Sequence, residues 1–253
     1  MSSPPLPPAP PSTSGPSERL SRRVAEQLGC SRAQAEQYIE GGWVRVDGEV
    51  VETPQALVGD AEIALESYAP PVAAVQAAEP ATMLLHKPTG VAFEACATLV
   101  TPDARAEGDA SGIRLLQRHF AHLTPLMPLD TEASGLVVVS QDGRVARRLN
   151  EDGAKIEQEF LVEVRGATGP YTLGKLSRGL SYQGRALPPC KVSWQNEVRL
   201  RFAIKDVRPG QLRHMCAEVG LDVVAIRRLR IGRIGLNKMP PGEWRYSPVG
   251  DRF

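Results

Sequence analysis

No stretch of this 253-residue chain holds the roughly 18 to 20 consecutive apolar residues that crossing a bilayer takes. Its first residues have neither a positively charged start nor an apolar run, so no membrane span and no secretory signal are expected. Cysteine is scarce. Cys30, Cys96, Cys190 and Cys216 lie too far apart for a zinc knuckle or a redox pair and read as isolated thiols of a cytosolic protein. His86, His119, His122 and His214 form no metal motif, so no metal is expected. No glycine-rich phosphate loop stands at a strand–helix junction, which argues against NAD and ATP. An excess of one charge is missing too. Thirty Lys and Arg against 29 Asp and Glu leave +1, so global charge announces no nucleic-acid partner.

What is present is the balance of a soluble globular protein, 42% hydrophobic and 23% charged, long enough for one large domain or two smaller ones. Charge is also unevenly spread. From Arg199 to Arg233 there are nine basic residues, Arg199, Arg201, Lys205, Arg208, Arg213, Arg227, Arg228, Arg230 and Arg233. The acids there are three, Asp206, Glu218 and Asp222. Such a local excess in a near-neutral chain points to a face that binds a polyanion.

Residues 1–16, MSSPPLPPAPPSTSGP, bury too little apolar surface to offset the entropy of ordering, so a disordered tail is expected. From Ser17 the pattern changes. Leu20, Val24 and Leu28 mark one face of a short helix stopped by Gly29. Ser31 caps a second helix whose apolar face is Ala35, Tyr38 and Ile39, ended by Gly41-Gly42. WVRVDGEVV then gives two alternating strands about the hairpin dipeptide Asp47-Gly48, and a further turn and short strand run to Leu65. Residues 67–80 are rich in alanine and proline and are expected to be a semi-stiff linker. The expected domains are therefore 17–66 and 81–253.

In the second domain, MLLHKPTGVAF reads as a buried strand, a turn and another short strand, and Ser111 to Phe120 as a short helix. Leu129 to Glu132 is a polar turn before the apolar run Leu136 to Val139, which ends at Asp142-Gly143. Helices are expected over 143–149, with Arg144, Arg147 and Arg148 exposed, over 169–179, and over 211–219, closed by Gly220. Strands are expected over 159–164, in alternating runs between 181 and 205, and over 222–231. Strands outnumber helices and no regular βα repeat appears. The expected class is α+β with a mainly antiparallel sheet.

The two helices, the Gly-Gly turn and the VRVDGEVV hairpin over residues 17–65 resemble the alpha-L RNA-binding motif of the ribosomal-protein S-four type. That resemblance implies that Arg19, Arg22, Arg23, Arg32 and Arg45 track RNA phosphates. Behind it, LHKPTGV, PLDTEASGLVVVSQDG, EFLVEV, QLRHMCAEVGLDVVAIRRLRIGRIGL and PGEWR come in an order that resembles the RsuA-like pseudouridine synthases, nearest the subgroup acting on large-subunit ribosomal RNA. The resemblance implies a cofactor-free isomerisation of a uridine in ribosomal RNA, with transfer RNA a second substrate of some members; nothing in the sequence suggests an obligate oligomer, so a cytoplasmic monomer is expected. It implies that Asp130 is the catalytic carboxylate, as nucleophile or base, and that Arg213 is the cation keeping it ionised. Phe160, at a position usually Tyr, is then the aromatic stacked on the displaced base, with Leu161 behind it in the core.

Two departures stand out. Pro128 replaces the family's arginine two residues before the aspartate, and Pro209-Gly210 replaces a basic Asn-Arg pair. Arg208, His214 and Lys87 are the cations available to compensate, Lys87 and Arg208 as RNA contacts. The alternative reading is an RNA-binding protein on a synthase scaffold that is catalytically weak or silent.

Overall fold

The computed structural model describes residues 18–248 and Phe253, and divides the chain into two compact units. The tail expected over residues 1–16 lies outside the described residues.

The first unit runs to Glu79 and takes in Leu116–Arg118. After β1 (Glu18–Arg19), helix α1 (Leu20–Leu28) buries Leu20 and Val24. It ends because Gly29 adopts φ 60 and returns its N–H to the Ala25 carbonyl. Helix α2 (Arg32–Glu40) starts from a capping box between Ser31 and Gln34 and buries Ala35, Tyr38 and Ile39. Strands β2 (Val44–Val46) and β3 (Glu49–Val50) follow. They close on Asp47 and Gly48, both at positive φ, as a two-residue hairpin turn requires. Next come β4 (Leu57–Val58), paired with β1, and β5 (Ile63–Leu65), paired with β2.

The stretch expected as a linker is partly structured. The Tyr38 hydroxyl donates to the Pro70 carbonyl, a short 3-10 turn spans Val72–Ala74, and Val75 is buried with Leu20, Tyr38 and Ile39. Apolar burial at Val75 outweighs the low-complexity look of the segment.

The second unit holds β6 (Thr82–Lys87), β7 (Thr124–Leu126), β8 (Ala133–Ser140), α3 (Gly143–Glu151), β9 (Gln158–Arg165) and α4 (Thr172–Ser177). After these come β10 (Ser181–Tyr182), β11 (Arg185–Ala186), β12 (Lys191–Asn196), β13 (Arg199–Ile204) and α5 (Gln211–Ala217). The last strands are β14 (Asp222–Ile231), β15 (Ile234–Gly235) and β16 (Trp244–Tyr246). A nine-stranded sheet runs β12-β13-β9-β14-β8-β6-β16, with β7 on β8 and β15 on β14. Among the paired strands of the described residues, only β14 and β8 run parallel.

Strand β8 is the hub, and its unbroken apolar run has a cause. Val137 and Val139 face one core with Phe160, Val162 and Trp244; Leu136 and Val138 face a second with Leu149 and Ile231. A strand buried on both faces carries no polar alternation. Gly135, at φ 118, lies so close to β14 that an added Cβ sits 2.3 Å from the Arg228 carbonyl oxygen.

Two expected elements are different. The short strand after Gly90 is a 3-10 stretch, Phe93–Leu99, in a segment whose alanines favour helical backbone. The helix over Ser111–Phe120 is confined to a 3-10 turn at Gln117–Phe120. Asp109 holds the Ser111 N–H and Gly112 takes φ 69, which keeps the start of the segment out of helix. Arg144, Arg147 and Arg148 are exposed on α3, as expected.

Candidate active site

The loop from Met127 to Glu132 joins β7 to β8 and is held from two sides. From below, Arg228 of β14 is fully buried. Its Nε donates to the Leu136 carbonyl (2.7 Å), Nη2 to that of Met127 (2.7 Å), and Nη1 to that of Pro128 (3.0 Å) and to Gln158 Oε1 (3.0 Å). Burial pushes the guanidinium down to about 9, countered by negative groups that include Asp130. It therefore stays protonated at neutral pH. From the side, Lys87 at the end of β6 is also buried, and its Nζ donates to the carbonyls of Pro88, Val91 and Thr131 at 3.0, 2.7 and 3.0 Å. Desolvation pushes its ammonium below the ordinary lysine value, and the Asp130 charge works against that fall.

Asp130 is half-buried at the top of this loop. Its carbonyl accepts from Ala133 N–H (3.0 Å), which closes the turn into β8. Both carboxylate oxygens lie 3.1 Å from the Gly210 N–H at the start of α5. The carboxylate opens onto a shallow cleft lined by Phe160, Val207, Arg208, Leu212 and Ile226. Phe160 forms its floor and is 2% exposed. The arrangement is a fixed anion beside an apolar slot, backed by two buried cations that donate hydrogen bonds to carbonyls of its loop.

Several expected positions change. Arg213 was expected against the aspartate, but its Nη1 donates to the Val223 carbonyl at 3.2 Å, and no ion pair with Asp130 is present among the described residues. The charges behind Asp130 are Arg228 and Lys87. Lys87 was expected on RNA; with its three protons on backbone carbonyls it has none to offer. Arg208 does line the cleft. His214 does not: its Nε2 meets the Ser181 carbonyl at 2.9 Å. Phe160 packs within the main core while bordering the cleft, and Leu161 is only half-buried. Gly210, which looked like a lost cation, supplies the N–H that holds Asp130.

Arg228 had been grouped with the polyanion-binding face. The signal for its burial was in the alternation of β14, which puts it on the same side as Ile226. The rest of that face is also less basic than its own segment suggests. Acids of β9 and the residue before it cross to meet it, pairing Arg199 with Glu163 (3.0 Å), Arg201 with Glu159 (2.5 Å) and Arg230 with Glu157 (2.8 Å).

In the first unit Arg22 pairs with Glu18 and Glu26, Arg32 with Glu36 and Arg45 with Glu66, and Arg23 reaches the Gly59 carbonyl. Arg19 is exposed, with no ion pair among the described residues. Surface pairs of this kind are worth only about 0–1 kcal/mol and yield readily to a phosphate.

Comparison with known proteins gives the following. Residues 18–62 match the S4 domain family. A "Dual-specificity RNA pseudouridine synthase RluF" of Escherichia coli (strain K12) is 25% identical over 232 residues, 90% of this chain and 75% of that protein. A "Ribosomal small subunit pseudouridine synthase A" of Salmonella typhimurium is 29% identical over 232 residues, 90% of this chain and 95% of its own. A crystal structure of a pseudouridylate synthase shares the fold with a TM-score of 0.56 at 21% identity, covering 90% of this chain and 95% of the other.

Proposed function

We propose that this chain, which belongs to the RsuA-like RNA pseudouridine synthases, isomerises a uridine of ribosomal RNA, by preference of the large subunit, with the Asp130 carboxylate as the reacting group. The observation that carries this reading is the carboxylate itself, fixed by a backbone N–H at the rim of a cleft floored by Phe160. Isomerisation breaks the bond from base nitrogen to ribose and forms one from base carbon to ribose. A proton leaves the carbon and one is gained at the nitrogen, so atoms balance without a co-reactant. The target nucleotide must leave its stack to reach so confined a carboxylate. A base set against this cleft has Phe160 below it and Arg208 beside it to meet a phosphate. Transfer RNA is a second candidate substrate, and the enzyme acts as a cytoplasmic monomer.

A map of pseudouridine across the ribosomal and transfer RNA of cells lacking the protein is expected to lose one or a few sites. Unchanged modification everywhere leaves the catalytically silent RNA-binding protein as the better reading.

The first unit supplies affinity in this scheme. Replacing Arg22 and Arg23 together by Glu is expected to weaken RNA binding and lower the slope of log K against log salt by about one to two, since each lost phosphate contact removes roughly 0.7 to 0.9. Titration at several salt concentrations measures this, and an unaltered slope takes these two arginines out of recognition.

A further inference from the structure

We infer that Tyr182 is a positioning residue of the reaction, acting through the peptide group that binds the Asp130 carboxylate; this rests on the reading of Asp130 as the reacting group. The Tyr182 hydroxyl donates to the Pro209 carbonyl at 2.8 Å. That carbonyl and the Gly210 N–H belong to one planar peptide group and point in opposite directions. The N–H is the one both Asp130 oxygens approach at 3.1 Å. The line therefore runs from phenol to peptide to carboxylate, and each hydrogen bond polarises the next.

This peptide needs an anchor. Gly210 sits at φ 76, a left-handed backbone for which glycine has the freedom and most residues do not. The same freedom lets an unheld peptide swing away from Asp130. On its far side the turn is fixed by the fully buried Gln211, whose Oε1 accepts from the Arg208 N–H at 3.1 Å. On its near side the anchor is Tyr182. An added Cβ at Gly210 sits 2.7 Å from the Tyr182 hydroxyl, so glycine and tyrosine fit each other.

Tyr182 is itself held. It ends β10 and pairs with Arg185 across a turn in which Gln183 and Gly184 take positive φ. Its ring lies 5.1 Å from that of His214, and His214 Nε2 meets the Ser181 carbonyl at 2.9 Å. Arg185 pairs with Asp206 at 3.3 Å, tying the hairpin to the segment that leads into Pro209. At the place where arginine was expected, this chain thus has a glycine amide set by a tyrosine.

The test is Tyr182→Phe, which keeps the ring and removes the hydroxyl. Transcribed large- and small-subunit ribosomal RNA serve as substrates, with isomerisation read as tritium released from the uracil carbon. We expect kcat to fall about fivefold, the effect of one neutral hydrogen bond, with KM and the thermal midpoint unchanged. Gly210→Ala alone is expected to cost more, and to cost less when added to Tyr182→Phe than when made alone. Wild-type kcat in Tyr182→Phe overturns the inference, and so does a change confined to KM, which makes the hydroxyl a substrate contact. Asp130→Asn runs alongside. If it stays active, the reading of Asp130 fails; if it is inactive while Tyr182→Phe is unaltered, the role of Tyr182 alone fails.

Discussion

Asp130→Asn is expected to cut isomerisation by about 10³-fold or more while leaving RNA binding within about twofold of wild type. The substitution keeps size and shape, and the amide oxygen still accepts from the Gly210 N–H that the carboxylate holds at 3.1 Å. It removes the negative charge, and with it both the nucleophile and the base. Binding is expected to persist because the proposed phosphate contacts lie elsewhere, on Arg208 at the cleft and on the first unit. Folding persists because the loop is held through its carbonyls by Arg228 and Lys87, not through the Asp130 side chain. Paired single-turnover and filter-binding measurements separate the two effects. Product formation at an undiminished rate ends the case for Asp130, and loss of binding in step with activity assigns it a structural role instead.

Legibility in the sequence followed from how local the cause was. The helices of the first unit were readable because Ser31, Gly29 and the spacing of Leu20 and Val24 act within a few residues. The extent of strand β14 was readable, though not the two register shifts that interrupt its alternation, and β8 was readable from its apolar run. The turn that carries Asp130 was readable because a polar turn before a buried strand is also a local pattern, whereas the role proposed for its carboxylate came from the family resemblance alone. Its partners were not. The N–H at Gly210 is 80 residues away in sequence, and only the fold decides that it, and not the Arg213 guanidinium, meets the carboxylate. Lys87 looked like a cation at a turn, available to RNA, because nothing near it announces that the carbonyls of Pro88, Val91 and Thr131 converge on its ammonium. The charge count from Arg199 to Arg233 failed similarly: the acids that cancel much of it sit on β9 and just before it, and reach it only across the sheet.

Arg228→Met is expected to destabilise the second unit by about 3–5 kcal/mol, the usual cost of removing one partner from a buried charged network. The opposing effect is desolvation. A buried guanidinium costs free energy, so an apolar replacement of similar length sometimes breaks even. What decides here is the nature of the acceptors. Three of the four are backbone carbonyls, of Met127, Pro128 and Leu136, which no side-chain substitution removes. Those of Met127 and Leu136 are buried; each left without a donor costs about 1–3 kcal/mol, and the terms add toward instability. Met127 also holds φ 63, a strained backbone for a residue with a side chain, which persists only while its surroundings enforce it. Releasing its carbonyl frees the loop to relax and moves Asp130 off the cleft, so activity falls further than the loss of folded protein explains. Arg228→Lys keeps the charge but not the fork that reaches both Met127 and Leu136, and is expected to recover less than half of the loss. Urea unfolding followed through the buried Trp244 reads the stability term, and kcat per folded molecule reads the displacement. A Met variant within about 1 kcal/mol of wild type, with kcat intact, means that the loop keeps its shape without the guanidinium beneath it.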